Sequence, residues 1–231
     1  IVGQHNGIGT VTINTNHTSL GSVVANRTNL SSITMYAGSI VEDCTNSTKA
    51  MFNTVTVSSV DITGENIPSS FMYNSTISGS FNSAATRIGA YAFKSCNLAA
   101  ISGLPSLINN CTYIGTNAFQ DAILPVTDIS VTGNIAQNAF NAVRNVRNLN
   151  IRTTRSEYST DIEPVQCEYQ NMININCITG SEEISVSAYN ATTVHVGGYR
   201  NVSIRGYNKY LRTLTVDDAC ANLSLVIGMN N

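Results

Sequence analysis

The sequence has 231 residues, of which only 11% are charged, and its formal net charge is −2 at pH 7. This length suits one large or two small domains, so the size of the hydrophobic core is not limiting. The low charge gives no electrostatic basis for binding nucleic acid or an anionic membrane, and no apolar run approaches the length of a membrane span.

Short runs in which apolar and polar residues alternate predict β-strands along the first part of the chain. They are GTVTIN at 9–14, LSSITMY at 30–36, FNTVTVS at 52–58, LAAIS at 98–102, VTDISV at 126–131 and VRNLNI at 146–151. The first of these, and NLSLVIG at 222–228, both read as strands rather than caps. We therefore expect the first strand of one copy to stack on the last strand of the next, or the chain to belong to a longer array. The alternative is a monomer whose terminal strands are covered by loops.

Between these strands a second pattern repeats, in which an Ala-Phe pair follows an Ile. The copies are IGAYAFKSC at 88–96, IGTNAFQDA at 114–122 and IAQNAFNAV at 135–143, with fainter versions at 37–44 and 67–74. The Phe residues lie about 26 and about 21 residues apart, which is the range of solenoid repeats. Each Ala-Phe segment is predicted to form one or two helical turns. We expect Phe93, Phe119 and Phe140 to stack along one buried line.

The last fifty or so residues contain strand patterns without the Ala-Phe segment. These are EEISVSAY at 182–189, TTVHVGGY at 192–199, NVSIRGY at 201–207, LRTLTVDD at 211–218 and NLSLVIG at 222–228. They either continue the sheet of the solenoid or form a separate antiparallel module, and we favour the continued sheet. The predicted domains are therefore a solenoid over 1–177 and a strand-rich continuation over 178–231.

The repeat resembles the BspA-like leucine-rich repeats, whose pattern is Ile-Gly-x-x-Ala-Phe-x-x-Cys, then a Leu two residues later and an Ile-containing strand. Residues 88–101 match almost throughout, and the next copy has Ala122 in place of Cys. The third copy has Ala136 for Gly and Val143 for Cys. The resemblance implies an α+β repeat solenoid with a curved parallel sheet on one face and short helices on the other. It also implies adhesion, host contact or extracellular structure rather than catalysis.

Abundant Asn, Ser and Thr in place of Lys and Glu suit a secreted or cell-surface protein. Sequons for N-glycosylation occur at Asn16, Asn26, Asn29, Asn46, Asn74, Asn110, Asn190, Asn201 and Asn222. Of these, Asn74 and Asn190 are expected to be the most accessible. The prediction that these sequons carry glycans assumes that the chain passes through a eukaryotic secretory route.

Six cysteines in such a chain suggest disulfides. The candidates are Cys44, Cys96, Cys111, Cys167, Cys177 and Cys220. The spacing favours a bridge between Cys167 and Cys177. For Cys44 and Cys96, which occupy equivalent repeat positions, stacking as small core residues is about as well supported as bridging.

No catalytic, cofactor or metal site is predicted. There is no phosphate loop, EF-hand or nucleotide fingerprint, and His195 lies between valines with no nucleophile near it in sequence. The adjacent pairs Glu182-Glu183 and Asp217-Asp218 would point to opposite faces of a strand, so neither forms a carboxylate dyad.

The sequence supports three hypotheses of function. The first is a non-enzymatic extracellular repeat protein that recognises other proteins or glycans through its exposed sheet. The second is a structural subunit of an extracellular filament or matrix that binds its own copies end to end. The third, less favoured, is a carbohydrate-active enzyme on a β-solenoid. A Tyr/Arg-rich stretch is a candidate partner surface, and its residues are Tyr199, Arg200, Arg205, Tyr207 and Tyr210.

Overall fold

The computed structural model shows a parallel β-solenoid with very little helix. It describes residues 9–14, 24–36, 50–136, 139–140, 143–151, 174–178, 183–187, 193–197, 201–207, 212–217 and 220–228. The repeat solenoid predicted from the sequence is confirmed, whereas its helical component is not.

The described strands divide into long ones and very short ones. They are β1 (Thr10–Asn14), β2 (Val24–Tyr36), β3 (Phe52–Thr63), β4 (Asn66–Ile67), β5 (Met72–Tyr73), β6 (Thr76–Ser83), β7 (Arg87–Ile88), β8 (Tyr113–Ile114), β9 (Ile123–Val131), β10 (Asn134–Ile135), β11 (Arg144–Ile151), β12 (Asn174–Ile178), β13 (Glu183–Ser187), β14 (Thr193–Gly197), β15 (Asn201–Tyr207), β16 (Thr213–Val216) and β17 (Asn222–Gly228). All pairings between the described strands are parallel, as a solenoid requires.

One sheet, which we call the long sheet, runs from β1 through β2 and β3 to β6, and from β9 through β11, β12 and β14 to β16. Single-residue bridges join its two parts, because Asn97 pairs with both Thr76 and Ile123. A second sheet contains the short strands β4, β7, β8 and β10. A third, the C-terminal sheet, contains β13, β15 and β17.

Stacked phenylalanine rings fill the interior. The Phe93 and Phe119 rings are 5.5 Å apart and nearly parallel, and the Phe119 and Phe140 rings are 5.4 Å apart. All three are buried, which confirms the expected line. The line also extends to earlier coils, since Phe71 lies 5.9 Å from Phe93 and Phe52 lies 5.5 Å from Phe71.

The Ala-Phe segments form turns and not the helical turns predicted from the sequence. Within IGAYAFKSC, Tyr91 and Ser95 have φ values of 57° and 58°, in the left-handed region that a right-handed helix cannot contain. Some backbone N–H groups donate to the next coil, since Phe93 N donates to Ala118 O at 2.7 Å and Phe119 N donates to Ala139 O at 2.8 Å. Others close local turns, as when Cys96 N donates to Phe93 O at 3.1 Å. Bonds to the next coil therefore alternate with turn bonds, and no continuous helix forms.

The helix that the described residues contain, α1 (Leu104–Asn110), lies in a place that the sequence analysis did not predict. Its buried residues Leu104, Leu107 and Ile108 follow helical spacing and cover the core beside β9. It follows LAAIS at 98–102, where a strand was expected. That strand is absent from the described structure: the bridge at Asn97 precedes this segment, which forms turns.

The strand patterns of the C-terminal residues correspond to β13 to β17. They alternate between two sheets: β14 and β16 follow β12 in the long sheet, while β13, β15 and β17 form the C-terminal sheet. The pairing of β12 with β11 is parallel, so the long sheet continues beyond the Ala-Phe coils. The division of the chain into domains at residue 177 stays a prediction.

Candidate interaction surfaces

The N-terminal part of the long sheet exposes a regular polar surface on the side away from the core. We call this surface the outward face. It comprises Thr10, Thr12, Ser32, Thr34, Tyr36, Ser59, Asp61, Thr63, Ser80 and Asn82. It exists because polar residues alternate with buried ones such as Ile33, Val60 and Ile62.

The register aligns the side chains of this outward face into rows across the strands. One row contains Thr10, Ser32, Ser59 and Ser80. Within this row Ser32 Oγ donates to Thr10 Oγ1 at 2.9 Å, and Ser80 Oγ donates to Ser59 Oγ at 3.0 Å. The next row contains Thr12, Thr34, Asp61 and Asn82. The rows therefore offer small hydrogen-bond donors and acceptors at regular spacing, with Asp61 as their charged member.

Tyr36 is the aromatic side chain of the outward face. It lies at the end of β2 opposite Thr63 of β3, and 43% of it is exposed. An exposed tyrosine beside small hydroxyl side chains offers a ring for stacking and a hydroxyl for hydrogen bonding. The alternation of LSSITMY is the sequence signal for this position, because Ile33 and Met35 point to the core and Tyr36 follows them on the opposite face.

The C-terminal part of the long sheet contains a hydrogen-bonded pair that the sequence spacing did not indicate. His195 on β14 and Asp217 just after β16 approach to 3.0 Å between Nε2 and Oδ1. Gly197 makes this possible because a Cβ atom there would collide with the Asp217 carboxylate. In the described residues no group of three or more His, Cys, Asp or Glu side chains could hold a metal ion.

The carboxylates on the solvent side of the described long sheet lie on well-separated strands. Asp61 is on β3 and Asp128 on β9, with β6 and Asn97 between them. Neighbouring strands lie about 4.8 Å apart, so three strand-to-strand steps place Asp61 and Asp128 roughly 14 Å apart. Asp217 follows β16, four steps or roughly 19 Å from β9. Both separations exceed the spacing of about 5–10 Å at which paired carboxylates hydrolyse glycosides.

The three cysteines that the structure describes in full are free thiols. Cys96 and Cys111 are buried, and Cys220 is half-buried. Burial raises the pKa of both the Cys96 and the Cys111 thiol from 9.0 to about 12. Cys96 is thus a buried free thiol in the structure, and the disulfide candidates stay predictions. Cys44 and Cys167 lie outside the described residues, as does the side chain of Cys177, so the pairing of Cys167 with Cys177 stays a prediction.

The sequons that the structure describes differ in exposure. Asn29, Asn74, Asn110 and Asn222 are exposed, whereas Asn201 is half-buried. Asn222 Nδ2 donates to Asn201 Oδ1 at 2.8 Å, so these two sequons lie side by side on neighbouring strands. Asn16, Asn46, Asn190 and the side chain of Asn26 lie outside the described residues. Glycosylation of any of these sites stays a prediction.

The Tyr/Arg-rich partner surface lies outside the side chains that the structure describes. Three of its members, Tyr199, Arg200 and Tyr210, lie outside the described residues. Arg205 and Tyr207 lie on β15, but their side chains are also outside the described part. Among the described residues, the Arg87 guanidinium lies 4.9 Å from the Tyr113 ring centre, and Lys94 Nζ lies 5.6 Å from the ring centre of Tyr91.

The end of the C-terminal sheet exposes apolar side chains. Leu223 and Leu225 on β17 are 50% and 49% exposed. Their register partners on β15, Val202 and Ile204, are 2% and 0% exposed. Positions that are buried on β15 are therefore exposed on β17.

A scan against protein-family models matches residues 65–195 to the BspA type leucine-rich repeat region, in 6 copies. The chain belongs to this family. The match includes the three clear Ala-Phe copies and continues into the strand-rich region as far as β14. Neither the curated proteins nor the solved structures that were searched gave a match.

Membership in the BspA-type family supports the coarse features of the sequence interpretation. Proteins of this family are typically surface-associated repeat proteins and are generally non-catalytic. No helix in the described part of the chain is long and apolar enough to span a membrane.

Proposed function

We propose that this chain is a non-enzymatic, extracellular or cell-surface recognition protein that binds a partner protein or glycan through its outward face. The observation that carries the proposal is the pair of in-register rows of small hydroxyl, amide and carboxyl side chains, beside the exposed Tyr36 ring. A hydrogen-bonded sheet of this kind holds its side chains at fixed positions, which lowers the conformational cost of binding.

The partner that fits this surface is polar and extended. A glycan presents hydroxyl groups along its length and apolar ring faces for aromatic stacking, which suits both rows and Tyr36. An extracellular protein segment with hydroxyl and amide groups could form the same kind of hydrogen bonds with the rows. The low charge of the outward face favours an uncharged ligand over an anionic one.

An array of extracellular polysaccharides and matrix proteins tests this proposal. Tyr36→Ala and Ser59→Arg each change the outward face at a position where the side chain reaches solvent. We expect either substitution to weaken the binding of any retained ligand about tenfold or more, as at interface hot spots. Ser102→Arg is the matched control, because Ser102 is exposed in a turn away from the long sheet. Equal binding by all four proteins would reject the outward face as the site.

A second function, a structural subunit of an end-to-end filament or matrix, is favoured by the exposed Leu223 and Leu225 side chains. We expect Leu225→Lys to abolish concentration-dependent association while leaving the melting temperature unchanged, because half of Leu225 already faces solvent. Ser224→Lys, at the exposed neighbour, is the control. Light scattering that shows a monomer at every concentration, in the parent protein, would reject the filament.

A further inference from the structure

The two outermost strands of the long sheet have almost the same sequence pattern. At one edge β1 reads Thr-Val-Thr-Ile followed by Asn14. At the other edge β16 reads Thr-Leu-Thr-Val followed by Asp217. Both strands run in the same direction, because each is joined to the sheet by parallel pairings only. Each has one side paired and the other side free of a described strand.

The apolar side chains of both edge strands are only partly covered. On β1 they are Val11 and Ile13, and on β16 they are Leu214 and Val216. One strand further in, the same two positions are fully buried: they are Ile33 and Met35 on β2, and Val194 and Val196 on β14. At both ends, therefore, one additional strand would complete the burial that each inner strand already has.

Neither edge strand contains a feature that blocks further pairing. Free edges are normally protected by a Lys, a Pro or an inward-pointing charge. The strands Thr10–Asn14 and Thr213–Val216 contain none of these. Asp217, which follows β16, is already engaged by His195.

We propose that β16 of one copy pairs in parallel with β1 of a second copy, so that the long sheet continues from molecule to molecule. In this register Thr213 lies opposite Thr10, Leu214 opposite Val11, Thr215 opposite Thr12 and Val216 opposite Ile13. The contact repeats the pairing that already holds Thr213 opposite Thr193 and Thr10 opposite Ser32 within one chain. It is therefore continuous with an interface that the structure contains.

Other registers are less favourable. A shift of one residue would place threonines over the core and expose Leu214 and Val216, because side chains alternate between the two faces of a strand. A shift of two residues would leave one apolar side chain uncovered on each strand. The contact joins different surfaces of the two copies, so it generates an open filament unless the rotation closes a ring.

This proposed pairing uses a different partner strand from the one expected from the sequence. Sequence patterns singled out the first strand and NLSLVIG at 222–228 as the two ends. The structure places that segment, β17, in the C-terminal sheet. The strand that ends the sheet begun by β1 is β16, so β16 and not β17 meets β1 of the next copy.

The inference rests on the filament proposal and adds its register, so the experiment separates the two. Thr10→Cys and Thr213→Cys are combined in one chain, and the protein is oxidised at a concentration where the parent associates. The predicted separation of the paired Cα atoms is about 4.8 Å, within the range that a disulfide spans. The combination of Thr10→Cys with Thr215→Cys is the matched control, because a two-residue offset places its Cα atoms about 8 Å apart. The single variants measure cross-linking through the native thiols, including Cys220.

We expect a ladder of covalent multimers from the Thr10→Cys/Thr213→Cys protein, at least about fivefold more abundant than from the offset control. If the parent associates but both pairs cross-link equally, or neither does above the single variants, the register is wrong while the filament stands. If the parent is monomeric at every concentration, the filament and this inference both fail, and recognition through the outward face is unaffected.

Discussion

Truncation of Phe119 perturbs the core within its line of phenylalanine rings. This ring is fully buried between two nearly parallel neighbours, Phe93 at 5.5 Å and Phe140 at 5.4 Å. Replacement of a buried Phe by Ala costs about 3–5 kcal/mol of unfolding free energy. Two stacked ring pairs, at about 0.5–1.5 kcal/mol each, are lost together, which puts Phe119→Ala in the upper half of that range.

Urea unfolding followed by circular dichroism measures this loss. Phe81→Ala is the matched control, because Phe81 is only partly buried and meets Phe93 edge-on at 5.8 Å. We expect it to cost about 1–2 kcal/mol. A Phe119→Ala protein that loses less than about 1 kcal/mol, or no more than Phe81→Ala, would show that the ring is not held inside the coil.

The other predictions concern coil spacing, thiols and glycans. Gly115→Ala should lower the free energy of unfolding by about 1–3 kcal/mol in the same urea assay, because the new Cβ would lie within 3.0 Å of Ala90 N and Gly89 C. Gly103→Ala is the control and should be near neutral, because its Cβ meets no atom within 4 Å. Equal effects of the two substitutions would contradict the close contact between coils. Burial raises the pKa of the Cys96 and Cys111 thiols from 9.0 to about 12. As pH rises, these thiols therefore lose their protons in the unfolded chain before they do so in the folded one, and the free energy of unfolding should fall between pH 9.0 and about 12. Urea midpoints at about pH 8 and about pH 10.5 should show a steeper fall for the parent than for a Cys96→Ala/Cys111→Ala protein, and identical slopes would refute buried thiols. The intact mass of the protein secreted from eukaryotic cells should exceed the polypeptide mass of 24.7 kDa, and Asn74→Gln should lower it by one glycan. An intact mass of 24.7 kDa would contradict the prediction of a glycoprotein.

The strands and the phenylalanine line could be predicted because both depend on simple alternation and volume. Val55, Val57 and Val60 all belong to one strand whose buried positions follow the apolar residues of the sequence. Phe93, Phe119 and Phe140 recur at equivalent points of their coils, and only large side chains at such points fill a solenoid.

The conformation of the Ala-Phe segments could not be predicted from local propensity. Alanine favours helix, so the segments resemble short helices in isolation. Tyr91 and Ser95, with φ values of 57° and 58°, adopt left-handed conformations in which their backbone N–H groups donate to Thr116 O and Gln120 O of the next coil. That information is tertiary. By contrast, α1 had a readable signal in Pro105, since proline in the first turn is typical of helix starts.

The interaction surfaces were predicted only in general terms. The exposed sheet was expected, but the rows that define the outward face depend on register between strands more than twenty residues apart, such as Ser32 opposite Ser59. The sequence also contains no sign of which strands share a sheet. For this reason the edge position of β16 became visible only in the structure.

Protection of Tyr36 tests recognition through the outward face most directly. The protein is nitrated at tyrosine with and without a ligand retained on the array, and each tyrosine is quantified by peptide mass spectrometry. Tyr36 is 43% exposed on the outward face, while Tyr91 and Tyr113 lie outside it and serve as internal controls. If the outward face binds the ligand, nitration of Tyr36 falls in its presence while nitration of Tyr91 and Tyr113 is unchanged. Unchanged nitration of Tyr36 in the bound state, or protection confined to Tyr91 and Tyr113, would contradict it.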